Sequence, residues 1–386
     1  MFPLSYSYRH QVGTKQRHLP QVAGREKLSA GFSLVEIMVG MVIGLLGMIV
    51  VMQMFSVYEG QRRTTTGGDD AQNNGAIALY GLQRDIRQAG YGINQVSLFN
   101  CNTTISGVTV PLAPVTINPA TAIIPAGDLN TDRLLVFYGN TNGIPEGNLI
   151  NSQAGNVYSV QMPASFQLND IVIAAPTTCG ATNLVIDRIA AAPALTTVTV
   201  ASIGATGSNL YNLGQAPQVL AYAIRNGNLT VCDYLAKNCG DATKTNDPTF
   251  WLPIATDIVS MKMQYGRDTL SIVRTQAQID AIVNATTPPT PRPSYIVDTY
   301  DQTTPTAKCG WTRIPAVRLA LVARNVNPDK STSGAAPAWA GSATAPINLT
   351  ATAVAPNFTW QNYRYKVFQT TISIRNVAWM GVQSGC

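Results

Sequence analysis

The chain has 386 residues, enough for one sizeable hydrophobic core or two small ones, and only 12% of its residues are charged. The net charge of +6 is concentrated at the N-terminus: residues 1–31 contribute +4, and the rest of the chain holds 21 basic and 19 acidic residues. This near balance gives no support for a basic surface that would bind nucleic acid.

The N-terminal 31 residues form a polar, basic leader without helical periodicity. The leader also contains both histidines of the chain, His10 and His18. A chain from which it has been removed therefore has no imidazole, which excludes Ser-His and Cys-His pairs and histidine-ligated metal sites. Paired carboxylates or a lysine base stay open. We nevertheless predict no catalytic residue, no metal and no cofactor.

An apolar segment, Phe32 to Phe55, follows the leader and carries a single charge, Glu36. As a helix it is long enough to cross a hydrocarbon core of about 30 Å. The excess of positive charge before it predicts a cytoplasmic N-terminus and an external C-terminal part. The only suitable small-residue cleavage site precedes the apolar segment, so cleavage there would keep the helix in the product.

The helix is predicted to continue over residues 56–91. Leu79, Leu82, Ile86 and Ala89 recur at heptad-like intervals and indicate a face that packs on a following domain. Between the two parts, residues 64–70 read TTTGGDD, which weakens helices, and we expect a locally melted stretch there. Glycines at 90 and 92 predict the end of the helix.

From residue 92 to the C-terminus the pattern is typical of short β-strands. Strands are expected at 134–138, 171–173, 184–186, 316–324 and 365–377, and Asn226-Gly227-Asn228 predicts a hairpin between 219–225 and 229–233. Segments near 282–294 and 327–359, rich in Pro or in Ala, Ser and Thr, are expected as surface insertions. The predicted fold class is α+β, with a long N-terminal helix packed on a large, mainly antiparallel β domain.

Six cysteines lie in the part expected outside the cytoplasm: Cys101, Cys179, Cys232, Cys239, Cys309 and Cys386. An even number there indicates disulfides. The six residues separating Cys232 from Cys239 are enough for a turn, which favours that pair. The other pairings stay open, as do buried free thiols.

The junction at the start of the apolar segment reads Gly31-Phe32-Ser33-Leu34-Val35-Glu36. Together with the basic leader and the apolar helix, this motif resembles a type IV prepilin. The resemblance implies that a membrane prepilin peptidase cuts between Gly31 and Phe32 and methylates the new N-terminus.

Glu36 is an acid within an apolar helix, where an unpaired carboxylate costs about 2.5–3.5 kcal/mol on insertion scales, so a partner is expected. The resemblance implies that this partner is the amine of Phe32 on a neighbouring subunit, which would fix the register during assembly. The alternative is that Glu36 lies at headgroup level and caps its own helix. Gly40 and Gly44 have a spacing that permits close helix approach, although glycine is common in membrane helices anyway. The family's usual helix-kinking proline is absent before Phe55.

Further along the chain, LQRDIRQAGYG (82–92), YAIRNGNLTVCD (222–233), MKMQYGRDT (261–269), VRLALVARN (317–325) and YKVFQTTISIRNV (365–377) resemble large minor pilins of the PilW type. That resemblance implies a minor pilin that primes pilus assembly at the tip. Its partners would be other minor pilins, the major pilin and a tip adhesin. Before assembly it would lie in the bacterial inner membrane with its β domain in the periplasm.

Two other functions remain open on the sequence. A minor pseudopilin of a type II secretion system would share the leader, the helix and the fold. A membrane-tethered domain that binds DNA or a surface ligand would not assemble at all, and salt-dependent DNA binding would favour it. A tethered enzyme ranks last because of the missing histidine.

Overall fold

The structure is a computed structural model that describes residues 31–93, 95–140, 143–144, 146–175, 179, 184–202, 206–269, 271–272, 292–293, 296–329, 335–378 and 380. The chain divides into two compact units, Met1–Glu59 and Gly60–Cys386. The predicted leader, apart from Gly31, lies outside the described residues.

The first element is a single helix, α1 (Leu34–Gln88), of 55 residues. It stays helical through residues 64–70, so the expected melted stretch is wrong. Packing overrides the weak local propensity here: Gly67 lies against Asn325, where an added Cβ would come within 2.1 Å of the amide oxygen. The helix ends as predicted, because Gly90 (φ +82°) and Gly92 (φ +77°) adopt left-handed conformations.

Among its described residues, the β domain contains 19 strands, two short α-helices and four 3-10 helices. The strands are β1 (Asn102–Ile105), β2 (Val108–Pro111), β3 (Val115–Ile117), β4 (Leu134–Tyr138), β5 (Asn148–Ala154), β6 (Val157–Val160), β7 (Ile171–Ala175), β8 (Ile186–Arg188), β9 (Thr197–Thr199), β10 (Asn209–Gly214), β11 (Gln218–Arg225), β12 (Asn228–Asp233), β13 (Leu252–Ala255), β14 (Ile258–Arg267), β15 (Ser271–Ile272), β16 (Arg292–Pro293), β17 (Thr299–Asp301), β18 (Ala316–Arg324) and β19 (Tyr365–Ser373). The short helices are α2 (Lys308–Trp311) and α3 (Arg375–Ala378).

Three antiparallel sheets make up most of the domain. Their strand orders are β13-β12-β11-β4-β3, β17-β14-β18-β19 and β8-β7-β10-β5-β6-β9, with two-stranded sheets β1-β2 and β15-β16 besides. The α+β class is thereby confirmed. The predicted hairpin is β11–β12, whose turn residues Asn226 and Gly227 both have positive φ, as a two-residue hairpin turn requires.

The last predicted strand is shorter than expected. β19 ends at Ser373, and residues Arg375–Ala378 form α3 instead of continuing the strand to 377. Predicted strand 184–186 also begins later, at Ile186, with Leu184 in an isolated bridge. These are boundary errors, since apolar alternation does not fix where pairing stops.

The main core lies between α1 and the five- and four-stranded sheets. Leu82, Ile86 and Ala89 of the predicted heptad face are completely buried in it, and Leu79 packs at its edge. Strand β4 is buried throughout because alternate residues face this core and a second core behind the five-stranded sheet.

The segment after β18 packs on the other face of the four-stranded sheet. Trp339, Ala345, Ile347 and Leu349 are buried there against Val259, Ala320 and Val322. These four residues of the expected surface insertion at 327–359 are therefore part of a core, whereas residues 350–359 are exposed or half-buried. The Pro-rich segment near 282–294 lies outside the described residues except for β16.

Candidate functional site

No described residue of the first unit outside α1 packs on the N-terminal part of this helix. Every large apolar side chain from Phe32 to Tyr58 is exposed, from 48% at Ile37 to 79% at Phe32. By length and composition this helix could cross a membrane. So long an apolar surface is unfavourable in water and needs lipid or another protein to cover it.

The predicted processing site lies immediately before the helix. Gly31 and Phe32 are exposed and non-helical, and α1 begins at Leu34. An added Cβ at Gly31 would meet nothing within 4 Å. The bond between Gly31 and Phe32 is therefore accessible, as a peptidase substrate requires. The structure does not test cleavage or methylation.

Glu36 lies in the first turn of α1, where its amide donates to the Ser33 carbonyl at 2.9 Å. The residue is exposed, and no described residue donates a hydrogen bond to its carboxylate. A carboxylate at this end of a helix is favoured by the helix dipole. The charge of Glu36 is thus available to a group from outside the described chain.

The glycines of the apolar segment leave one stretch of helix surface open. Added Cβ atoms at Gly40, Gly44 and Gly47 would meet nothing within 4 Å. Gly40 and Gly44 share a helix face, so another helix could approach closely there.

The C-terminal part of α1 is fixed to the β domain by a buried carboxylate, Asp85, that the sequence did not single out. Asp85 is only 2% exposed and accepts hydrogen bonds from the hydroxyls of Tyr138 (3.0 Å) and Tyr222, and from Arg84 Nε (3.0 Å). Its position next to Ile86 on the buried face was the available signal. Burial, reinforced by the Asp85 charge, raises the pKa of both phenols.

Polar contacts at both ends of this C-terminal part of α1 hold it against the β domain. Asn74 Nδ2 donates to Thr256 Oγ1 at 3.0 Å, and Asn376 Nδ2 donates to the carbonyls of Gln88 and Ala89, both at 3.0 Å. These last two carbonyls belong to the helix end and have no partner within the helix. The residues of α1 from Asn74 onward are therefore held in one register against the domain.

A second buried carboxylate, Asp132, lies beneath β14. It accepts from the Met263 amide (2.8 Å), Gln302 Nε2 (2.7 Å) and Asn118 Nδ2 (3.1 Å), and Lys262 Nζ is 3.9 Å away. Burial raises the pKa of Asp132, and the Lys262 charge opposes that rise. Every contact ties one strand or loop to another, so the cluster is structural.

Described residues of the β domain, among them Asn140, Ser165, Gln167, Asp170 and Gln215, also line a polar cavity of about 400 Å³. Asp170 is nearly buried and accepts from the Gln167 amide (2.8 Å) and Asn212 Nδ2 (2.7 Å). Within the described residues no group of three or more His, Cys, Asp or Glu side chains is placed to hold a metal ion.

Part of the β domain matches a known protein family. Residues 221–376 match the family model of type IV pilus-assembly protein W. The match supports a type IV pilus-related protein with a role in pilus assembly. It covers well under half of the chain, and α1 lies outside it. No curated protein and no solved structure matches the chain.

The part that matches type IV pilus-assembly protein W begins in β11 and runs through β12, β14, β18 and β19 to α3. Of the segments that resemble this family in sequence, those at 222–233, 261–269 and 317–325 lie inside it, and the one at 365–377 exceeds it by one residue. The prepilin-like motif at Gly31–Glu36 lies outside the match and stays a prediction.

The cysteines are paired as disulfides within the described domain. Cys232 and Cys239 are bonded as predicted, with their Cα atoms 5.9 Å apart. Cys101 is bonded to Cys179 across 78 residues, a pairing that the sequence left open. Cys309 is disulfide-bonded as well, and Cys386 lies outside the described residues.

Proposed function

We propose that this protein is a minor pilin that is incorporated in a type IV pilus, where it primes assembly and forms part of the tip complex. The observation that carries the proposal is the exposed apolar part of α1, in which the Glu36 carboxylate has no hydrogen-bond partner among the described residues, in a chain whose residues 221–376 match a pilus-assembly family. Its work is assembly with other proteins, without catalysis.

In this proposal, assembly provides the cover that the apolar part of α1 needs away from water. Before assembly, lipid covers residues 32–55, and the basic leader keeps the N-terminus on the cytoplasmic side of the inner membrane. After a prepilin peptidase has cut between Gly31 and Phe32, the new terminal amine is a positive charge. The Glu36 carboxylate of a neighbouring subunit can pair with this amine once both are removed from water.

The β domain supplies a rigid body at the end of this helix. Contacts of Asn74, Asp85 and the helix end fix the C-terminal half of α1 in the domain, and disulfides close loops in a compartment that permits them. Other minor pilins, the major pilin and a tip adhesin are the partners that this role requires.

Intact mass and N-terminal sequencing of the protein from membranes and from sheared filaments test the proposal. A chain that begins at N-methylated Phe32 and is recovered in filaments is the expected result. A chain that keeps its leader, or one cut after Phe55, contradicts it and favours a membrane-tethered binding domain. Recovery of the processed chain only from cells whose type II secretion system is intact would identify a pseudopilin instead.

A further inference from the structure

The polar cavity of about 400 Å³ in the β domain is built from segments that are far apart in the sequence. Its described lining residues lie after β4 (Asn140), between β6 and β7 (Gln167 and Asp170) and at the end of β10 (Gly214 and Gln215), among others. Its volume is within the range of about 300–1,000 Å³ that small-molecule sites occupy. The residues named for assembly of the pilus are not among those that line it.

The floor of the cavity carries a buried carboxylate of which one oxygen has no hydrogen bond. Asp170 is 4% exposed, and its Oδ2 accepts from the Gln167 amide (2.8 Å) and from Asn212 Nδ2 (2.7 Å). No described residue donates to Asp170 Oδ1, although buried polar atoms ordinarily have a partner. Because Asp170 lines the cavity, the donor for this oxygen has to come from what fills the cavity.

The mouth of the cavity adds amide groups that can donate and accept. Asn140, Gln167 and Gln215 are exposed there. Asn140 Oδ1 accepts from the Ala216 amide (3.2 Å), which leaves Asn140 Nδ2 as a donor. Gln215 Nε2 donates to the Leu168 carbonyl (3.1 Å), which leaves Gln215 Oε1 as an acceptor. The cavity therefore offers a charged acceptor at its floor and neutral groups of both kinds at its mouth.

This set of groups excludes several kinds of ligand. Among the described lining residues Asp170 is the one charged side chain, so an anion would be repelled. None of these residues is aromatic or a large aliphatic, so an apolar molecule would gain little. A metal ion or an ammonium group would use acceptors only and leave Asn140 Nδ2 without a partner, and no second carboxylate lies among the described lining residues to hold a cation.

Hydroxyl groups fit the set, because each of them both donates and accepts. A sugar carries several hydroxyls on one small neutral ring. We propose that this cavity binds a neutral saccharide. Its hydroxyls donate to Asp170 Oδ1 and Gln215 Oε1 and accept from Asn140 Nδ2. Since no described lining residue offers an aromatic ring on which a sugar could stack, binding is expected to be weak, with a millimolar Kd. The site belongs to the β domain and does not depend on assembly of α1.

Saturation-transfer NMR on the full chain tests the proposal with three probes at millimolar concentration: the methyl glycosides of galactose, mannose and N-acetylglucosamine. The micelles are made from a detergent without a sugar headgroup, because a glucoside or maltoside detergent would compete for the cavity. Saturation transfer to at least one glycoside is expected, equal at low and high salt, because a neutral ligand forms no ion pair. Transfer to none of the three would overturn the proposal.

Asp170 supplies a matched variant. In Asp170→Asn the amide oxygen can still accept from the Gln167 amide and Asn212 Nδ2, whereas an NH2 group replaces Oδ1. The domain keeps these two bonds and the cavity loses its charged acceptor, so binding should weaken at least about tenfold. Asp69→Asn, an exposed acid on α1, is the control and should leave transfer unchanged. Equal transfer to wild type and to Asp170→Asn of unchanged Tm would overturn the proposal.

Two exposed positions keep the test decisive if Asp170→Asn does not fold. Asn140→Ala and Gln167→Ala change side chains at the mouth and leave the backbone bonds of both residues in place. Each should weaken binding by about threefold or more. Unchanged binding in both variants would overturn the proposal. A Tm that calcium chloride raises in wild type but not in these variants, without transfer to any glycoside, would assign the cavity to a metal ion instead.

Discussion

The hydroxyl of Tyr222 in β11 donates a hydrogen bond to the carboxylate of Asp85 in α1, across 137 residues of sequence. Tyr138 in β4 donates to the other carboxylate oxygen. One buried acid thereby connects the helix to two adjacent strands of the five-stranded sheet. Since all three side chains are buried, each depends on the others to satisfy its polar atoms.

Asp85→Ala should destabilise the domain by about 3–5 kcal/mol, because it leaves two buried hydroxyls without an acceptor. Thermal unfolding of the full chain in micelles measures the effect as a lower Tm. Asp69→Ala, an exposed acid in the same helix, is the control and should change the free energy of unfolding by no more than about 0.5 kcal/mol. Similar Tm values for the two variants would contradict a structural role of Asp85.

Stability should fall at high pH because of Tyr222 and Tyr138. Folding raises the pKa of both phenols, so the native state favours their neutral forms. That contribution is complete below the unfolded pKa of about 10 and is lost as pH rises through the folded pKa. Tyr222→Phe should be less stable than wild type at neutral pH but should lose less stability above about pH 10. If the free energy of unfolding of Tyr222→Phe and of wild type fell in parallel as pH rises, the loss of stability would not come from Tyr222. Tyr80→Phe, on the exposed side of α1, serves as the control.

Two glycines of α1 should respond oppositely to alanine. At Gly75 an added Cβ would come within 2.2 Å of the Phe368 ring, whereas at Gly81 it would meet nothing within 4 Å. Gly81→Ala should stabilise the protein by up to about 1 kcal/mol through helix propensity. Gly75→Ala should lower Tm, because the Phe368 ring must leave its place between α1 and the sheet. An equal rise in Tm for Gly75→Ala and Gly81→Ala would show that the helix does not approach the sheet closely at Gly75.

The Cys101–Cys179 and Cys232–Cys239 disulfides should differ in their contribution to stability. Replacing both Cys101 and Cys179 by Ser opens a loop of 78 residues and should cost about 4–5 kcal/mol on the chain-entropy estimate, against about 2–3 kcal/mol for the seven-residue loop of Cys232 and Cys239. Denaturant unfolding of the two double variants measures the difference. The reverse order would mean that native contacts outweigh loop length.

Glu36→Ala should leave membrane insertion and cleavage unchanged but remove the protein from sheared filaments, because the proposed assembly pairs this carboxylate with the amine of a neighbouring subunit. Immunoblots of membrane and filament fractions measure both steps. Glu36→Asp keeps the charge and should restore part of the incorporation. Normal incorporation of the alanine variant would refute the register function of Glu36.

The sequence by itself determined the features that depend on local pattern. An apolar run with one charge defined the first part of α1, and left-handed glycines defined its end. Alternation and Asn226-Gly227 gave the β11–β12 hairpin, and close spacing gave the Cys232–Cys239 bond. Each of these is decided by residues within a few positions of one another, which is why composition and period suffice.

Tertiary structure alone decided what depends on residues far apart in sequence. Residues 64–70 are helical because Gly67 permits contact with Asn325, and Asp85 is buried because two tyrosines from distant strands supply its hydrogen bonds. Trp339, Ala345, Ile347 and Leu349 after β18 are buried because the four-stranded sheet has a second apolar face to cover. The physical reason is the same each time: burial and hydrogen bonding are properties of the assembled neighbours, which local propensity does not contain.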